Sequence, residues 1–171
     1  MFLTVREMEQ RRIRFDVTYP PGEIEFFENG LWQAGSLRSR GSAELIGPTQ
    51  EIRVRGRLEV AMEAECDRCL ETAGFSISAD FDLLYRAERP GSIGEEMELH
   101  EGDTGVGYYR GEGIELKDIL REQILLALPM QRVCSEDCKG ICAVCGGNRN
   151  QRDCGCRTPE LDDRWAGLRN L

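Results

Sequence analysis

Apolar and polar residues alternate along residues 11–19: Ile13, Phe15, Val17 and Tyr19 are separated by Arg14, Asp16 and Thr18, with Arg12 in phase with the polar set. A period of two gives a strand one buried and one wet face. Pro20-Pro21-Gly22 breaks this element, and Ile24, Phe26 and Leu31-Trp32 follow less regularly around the turn signal Asn29-Gly30. The longest alternation begins at residue 51. Ile52, Val54, Leu58, Val60, Met62 and Ala64 hold the even positions, with Gly56 in phase, and charged residues fill most of the odd ones. Alternation resumes with opposite parity at Phe75, Ile77, Ala79, Phe81, Leu83 and Tyr85. The pattern predicts a long antiparallel hairpin with Cys66-Asp67-Arg68-Cys69 at its tip. A register that sets Leu58 near Phe81 and Arg57 near Asp82 keeps the apolar sides together.

Residues 87–115 change texture, with frequent glycine and acids outnumbering Arg89 and Arg110. They read as an acidic loop with a short strand at Val106–Tyr109. Leu116, Ile119, Leu120, Gln123, Ile124, Ala127 and Leu128 then recur at helical spacing until Pro129. Leu125 and Leu126 lie off that stripe, which predicts a helix covered on more than one side. The expected fold is α+β: an antiparallel sheet or partly closed barrel with a long hairpin, one packed helix and a cysteine-rich, zinc-organised C-terminal tail. The expected division is a sheet-plus-helix body over residues 1–130 and a metal-binding tail over 131–171, packed on the body.

Composition narrows the function classes. The chain has 171 residues and a formal net charge of −9. No apolar run is long enough for a membrane helix, and Met1–Arg12 lacks the apolar stretch of a signal peptide. A cytoplasmic address is therefore expected, where stable disulfides are rare. The charge is uneven: the tail is near neutral, and the acidity belongs to residues 1–130. Such a balance favours solubility or a basic partner over non-specific binding of nucleic acid by the whole surface.

The cysteines are the strongest chemical signal. They run Cys66-x2-Cys69, then Cys134-x3-Cys138-x3-Cys142-x2-Cys145-x8-Cys154-x-Cys156. Eight thiols suffice for two tetrahedral sets, and zinc favours four thiolate ligands in a structural site. In Cys142-Ala143-Val144-Cys145-Gly146-Gly147 the glycines after the second cysteine let the backbone turn back toward sulfur. With Cys154 and Cys156 this forms the most local set, which leaves Cys66, Cys69, Cys134 and Cys138 as the other. A competing division groups Cys134, Cys138, Cys142 and Cys145, and leaves Cys66 and Cys69 with Cys154 and Cys156. Loop closure favours the first. Two structural zinc ions are the expectation. A redox CxxC would be expected beside a βαβ unit rather than in an antiparallel hairpin, and the ferredoxin spacing of an iron–sulfur site is missing.

A closed four-thiolate site offers no open position for water, so it serves architecture rather than hydrolysis. His100 is the only histidine and sits among acids, and no nucleophile elbow, P-loop or dinucleotide fingerprint is present. A non-enzymatic protein is expected.

The hairpin motif Cys66-Asp67-Arg68-Cys69-Leu70-Glu71, the helix end Leu125-Leu126-Ala127-Leu128-Pro129, and the tail Cys138-Lys139-Gly140-Ile141-Cys142-Ala143-Val144-Cys145-Gly146 occur in that order. Asn148, Asn150, Cys154-Gly155-Cys156, Asp162, Arg164, Leu168 and Leu171 follow. This order resembles the YceD family, whose members are described as large ribosomal RNA subunit accumulation proteins. The resemblance implies a bacterial protein, with plastid relatives, needed for synthesis, processing or stability of large-subunit (23S) ribosomal RNA; it supplies no mechanism. Two mechanisms fit. One is an assembly factor that binds precursor ribosomal RNA through Arg149, Arg152 and Arg157, which flank the local cysteine set, with Arg53, Arg55 and Arg57 able to extend the patch. The other is an acidic binding factor or chaperone for a basic large-subunit ribosomal protein, which would affect the RNA indirectly.

Overall fold

The computed structural model describes residues 1–27, 30–47, 51–88 and 105–157. In chain order the elements are β1 (Phe2–Thr4), α1 (Val5–Gln10), β2 (Ile13–Tyr19), β3 (Leu31–Gln33), β4 (Leu37–Ile46), β5 (Glu51–Glu65), β6 (Thr72–Ala87), β7 (Val106–Tyr109), β8 (Gly113–Glu115) and α2 (Leu116–Leu126). Contacts gather the chain into two compact units. One holds Met1–Glu63 and Gly74–Pro129; the other holds Ala64–Ala73 and the segment that starts at Met130. The hairpin tip is thus grouped with the cysteine-rich segment.

The first unit is built on a sheet of order β2-β4-β5-β6-β7, with β3 also paired to β5. β2 and β7 stand at opposite ends of that order and do not pair, so the sheet is open and the barrel alternative is not formed. The β2–β4 and β4–β5 ladders are antiparallel. β7 pairs parallel with β6, Leu84 opposite Val106, which makes the sheet mixed. β1 and β8 form a separate two-stranded ladder. Burial follows the period of two: Ile13, Phe15, Leu37, Ala43, Ile52, Val54, Leu58, Val60, Met62, Ile77 and Phe81 are buried. α2 buries Leu116, Ile119, Leu120 and Ile124 at helical spacing. Leu126, by contrast, is 72% exposed, so the expected second covered side of the helix is absent at that residue.

The centre of the sheet carries a cross-strand row. Phe15 lies opposite Gly41, and Gly41 opposite Gly56. A side chain on Gly41 would meet the Phe15 ring at 2.6 Å, and one on Gly56 would meet the Phe81 ring at 2.7 Å. Two aromatic rings therefore occupy the space that two facing glycines leave open, which keeps the row packed without overfilling it.

The sequence patterns locate β2, β5, β6, β7 and α2 closely. Strands β1 and β4, the helix α1, and β8, which falls in the stretch read as an acidic loop, escape them. In β4 the inward positions include Ser39, Gly41 and Ala43, so the apolar alternation is faint; Ser39 is buried because its hydroxyl donates to the Arg57 carbonyl at 3.1 Å. α1 is a single short stretch capped by Thr4, whose Oγ1 accepts the Glu7 N–H at 3.2 Å. The expected hairpin register is corrected by two residues. Arg57 Nη1 reaches Asp80 at 3.3 Å, Arg57 Nη2 reaches Ser78 at 2.8 Å, and Asp82 instead binds Arg53. A slip of two preserves both faces, so alternation alone does not distinguish the registers. His100, Asn29, Asp162, Arg164, Leu168 and Leu171 lie outside the described residues.

Candidate metal centres

All eight cysteines are free of disulfides. Their sulfurs gather into two groups of four, Cys66, Cys69, Cys134 and Cys138, and Cys142, Cys145, Cys154 and Cys156; within each group the sulfurs lie within 4.8 Å of one another. This is the division that loop closure favours. Both groups lie in the second unit.

The two CxxC turns share one backbone plan. In the hairpin tip, the Leu70 N–H donates to the Cys66 carbonyl at 2.9 Å and the Cys66 N–H to the Glu71 carbonyl at 2.8 Å. In the tail, Gly146 donates to Cys142 at 2.8 Å and Cys142 to Gly147 at 2.8 Å. Each turn needs a left-handed residue directly after its second cysteine. Gly146 supplies it with φ of 70°, Leu70 with φ of 65°. Glycine adopts that conformation freely, whereas leucine carries a steric cost. The glycine signal that marked the tail knuckle in the sequence was therefore missing from an equivalent knuckle at the hairpin tip.

The remaining ligands are placed by the chain around these turns. The Asp67 N–H donates to the Arg132 carbonyl at 2.8 Å, and Asp67 Oδ2 accepts the Arg132 N–H at 2.7 Å. This pairing brings Val133 and Cys134 beside the tip. Gly140, with φ of 69°, lies where a side chain would meet the Arg68 carbonyl at 2.9 Å, so the chain past Cys138 can approach the tip closely only with glycine there. A bridge between Ile141 and Asn148 then closes the tail loop.

The sulfur geometry fits a tetrahedral ion. Four sulfurs at a zinc–sulfur distance of about 2.3 Å stand roughly 3.8 Å apart along each edge. Cys66 Sγ and Cys138 Sγ are 3.8 Å apart, and Cys69 Sγ and Cys134 Sγ 3.6 Å. Disulfides would require about 2 Å. N–H groups also point at sulfur: from Cys134 to Cys66 at 3.4 Å, from Val144 to Cys142 at 3.4 Å, and from the Asn150 side chain to Cys138 at 3.3 Å. Such donors stabilise thiolates and orient them.

Thiol acidities reflect this crowding. Burial opposes ionisation of Cys66, but the N–H groups of Arg68, Cys134 and Cys69 overcome it and lower the pKa to about 6. The N–H groups of Cys145 and Val144 lower Cys142 to about 6 as well. At Cys69 the Glu71 N–H favours the thiolate, yet burial and the neighbouring sulfurs outweigh it and push the thiol to about 12. The sulfurs of Cys154 and Cys145, with burial, push Cys156 to about 12. The first group therefore holds two thiols favoured as thiolates, Cys66 and Cys138, the latter chiefly through the Asn150 amide, and two whose ionisation their neighbours resist, Cys69 and Cys134; in the second, Cys142 is favoured and Cys156 resisted. A dication among the four sulfurs removes that repulsion, which is why metal uptake by such sites releases protons.

Asn150 and Glu71 belong to this architecture. Asn150 Oδ1 accepts the Lys139 N–H at 2.7 Å while its amide donates to Cys138. Glu71 Oε1 accepts from Asn148 at 3.1 Å and Gln151 at 2.8 Å, tying the tail to the hairpin tip. No chemical pattern along the chain marks these roles, because the side chains acquire them only when partners arrive from 11 to 80 residues away.

Arg149, Arg152 and Arg157 are exposed. Arg149 and Arg152 line one open pocket with Lys139, and Arg149 also lines the hollow beside Cys154 and Cys156. Arg53, Arg55 and Arg57 share a face of β5, where carboxylates neutralise them: Arg53 with Asp82, Arg55 with Glu44, and Arg57 with Asp80 and Glu59.

Among curated proteins, a chloroplast protein of Arabidopsis thaliana named Large ribosomal RNA subunit accumulation protein YCED homolog 1 is 28% identical over 155 residues, 76% of this chain and 47% of the relative. Its namesake from Zea mays is 27% identical over 174 residues, 83% of this chain and 59% of the relative. An uncharacterized protein of Mycobacterium tuberculosis is 29% identical over 120 residues, 70% of this chain and 55% of the relative. The chain thus spans about half the length of the curated relatives it matches. No solved structure matches it. The family is named for an accumulation factor, not for an enzyme. Residues 54–171, which include all eight cysteines, match the family described as Large ribosomal RNA subunit accumulation protein YceD, and the chain belongs to that family.

Proposed function

We propose that this protein is a non-enzymatic factor that supports accumulation of large-subunit ribosomal RNA by binding the precursor RNA in a reducing, cytoplasmic compartment. Zinc in the two four-cysteine groups would hold the hairpin tip and the tail in a fixed form. The ions would supply structure only, since four thiolates close the coordination shell. The observation that carries the reading is the position of Arg149 and Arg152. Both stand exposed between the ligands Cys145 and Cys154, on one pocket with Lys139. A guanidinium held on a metal-braced loop meets phosphate with less loss of side-chain and backbone freedom than one on a free tail. Arg157, next to Cys156, extends the contact.

Crosslinking in cells, followed by sequencing of the bound RNA, tests this. Large-subunit precursor RNA should be recovered with the wild-type protein and lost with R149Q/R152Q/R157Q. Absence of RNA, with a basic ribosomal protein recovered instead, would reject it in favour of a chaperone for such a protein. That second reading has its own support in the charge of residues 1–130, where the whole excess of acid resides.

A further inference from the structure

The solvent face of the sheet is not uniform across its strands. The arginines of β5 are committed, and so is Arg12 directly ahead of β2. Asp82 holds Arg53 through two hydrogen bonds at 2.8 and 2.6 Å, Arg57 is drawn to Asp80 and Ser78, and Arg12 and Arg55 share Glu44. Three other arginines, on β2 and β4, differ. Arg14, Arg38 and Arg40 are exposed, and none makes an ion pair or side-chain hydrogen bond among the described residues.

The register explains why they share one surface. Arg14 pairs across to Ser42, Asp16 to Arg40, and Thr18 to Arg38 on β4; Arg40 in turn faces Arg57 on β5. Directly opposed like charges destabilise a sheet. Here the cost is kept in a protein that has acids to spare. Glu59 stands opposite Arg38, but its carboxylate binds Arg57 at 3.1 Å. Asp16 stands opposite Arg40 and forms no ion pair among the described residues. Between Arg38, Arg40 and Arg57 the surface dips into an open hollow of about 270 Å³, with Asp16 and Glu59 on its rim.

We infer that Arg14, Arg38 and Arg40 form a second RNA contact, one that grips the phosphate backbone rather than the bases. This inference rests on the reading of the protein as an RNA-binding factor. Arg38 and Arg40 point to one side of a strand about 7 Å apart, a spacing that lets two guanidinium forks meet neighbouring phosphates of one strand. The rows that carry them contain no aromatic side chain on which a base could stack. Binding is therefore indifferent to sequence and governed by salt. The three arginines lie outside residues 54–171, the part that matches the family, while Arg57 and Glu59 of the same hollow lie inside it.

The test is fluorescence anisotropy of the full zinc-loaded chain with a labelled uridine 12-mer over a salt series. R14Q/R38Q/R40Q should bind about tenfold more weakly at low salt, and its slope of log affinity against log salt should fall by about 2, near 0.7 for each lost phosphate contact. The corresponding triple lysine variant should recover the slope, which separates charge from folding. R53Q/D82N, which removes a satisfied pair, should bind as the wild type. Unchanged affinity and slope in the glutamine variant would overturn the inference alone, provided R149Q/R152Q/R157Q still loses binding. A wild-type chain that binds no RNA would overturn the proposed function with it. Equal competition by polyglutamate, relieved in the glutamine variant, would reassign the surface to an acidic protein and reject an RNA contact there.

Discussion

The two cysteine groups use one knuckle design in different surroundings. Cys66, Cys69 and Cys138 are buried, with only Cys134 exposed, and these cysteines come from segments some 65 to 72 residues apart. Cys145 and Cys156 are exposed, Cys154 is half-buried, and all four ligands of that group fall within Cys142–Cys156. The first group is also the hydrophobic core of its unit: Cys66, Cys69, Ala73 and Cys138 pack together against Val133. The second encloses a loop that carries Arg149 and Arg152. The same chemistry thus serves as a core in one place and as a brace for an exposed loop in the other. The first unit, by contrast, folds around a sheet with no cysteine among its buried residues.

This contrast can be broken at its strongest point first. Cys66→Ser or Cys138→Ser should remove the ion that replaces a core, and structural zinc is worth on the order of 10 kcal/mol or more. Hydrogen exchange should show lost protection over 64–73 and 130–157 together, with β2, β4 and β5 still protected. Collapse of the sheet as well would show that the two units depend on one metal-held fold. Cys142→Ser should have a narrower effect, confined to 141–157, with one ion retained.

Gly41→Ala places a methyl group against the Arg55 carbonyl and the Phe15 ring, where the backbone of β5 cannot yield cheaply. It should cost about 3 kcal/mol, near the upper end for overpacking. Chemical denaturation should show a lower midpoint for the sheet, with the metal content of the folded chain unchanged.

Smaller changes sharpen the difference between the clusters. Asn150→Ala removes the side-chain donor to Cys138 and the acceptor for Lys139. It should weaken metal retention in the first group by about 10- to 100-fold, the range for loss of an outer-shell partner, read by competition with a chelating dye. Smallest is Leu70→Gly. Leu70 holds φ of 65° where the equivalent residue is Gly146. The substitution should stabilise the tip by up to about 1 kcal/mol, raising its chelator resistance slightly without moving the second group.

The legible parts of the fold were those where one residue type repeats on one face. β5 announced itself over all fifteen residues, and the cysteine spacings plus loop closure sufficed to divide eight thiols into two sets. β4 stayed hidden because Ser39 and Gly41 occupy inward positions that carry little apolar signal. The hairpin register needed the pairing of Arg57 with Asp80, which alternation does not encode. The free state of Arg14, Arg38 and Arg40 was illegible for a related reason. A charge is free or spent according to its neighbours across strands, and the sequence shows arginines without showing that Glu44, Asp80 and Asp82 are already committed elsewhere.

We propose that two metal ions, unequally protected, hold the cysteine-rich unit. Native mass spectrometry of the reduced 171-residue chain during titration with a chelator tests this directly. Two zinc ions per chain should be present at the start. The first should leave early, with exchange rising only over 141–157, and the second late, with loss of protection at the hairpin tip. A chain that carries no metal yet keeps protection at both knuckles would contradict the account.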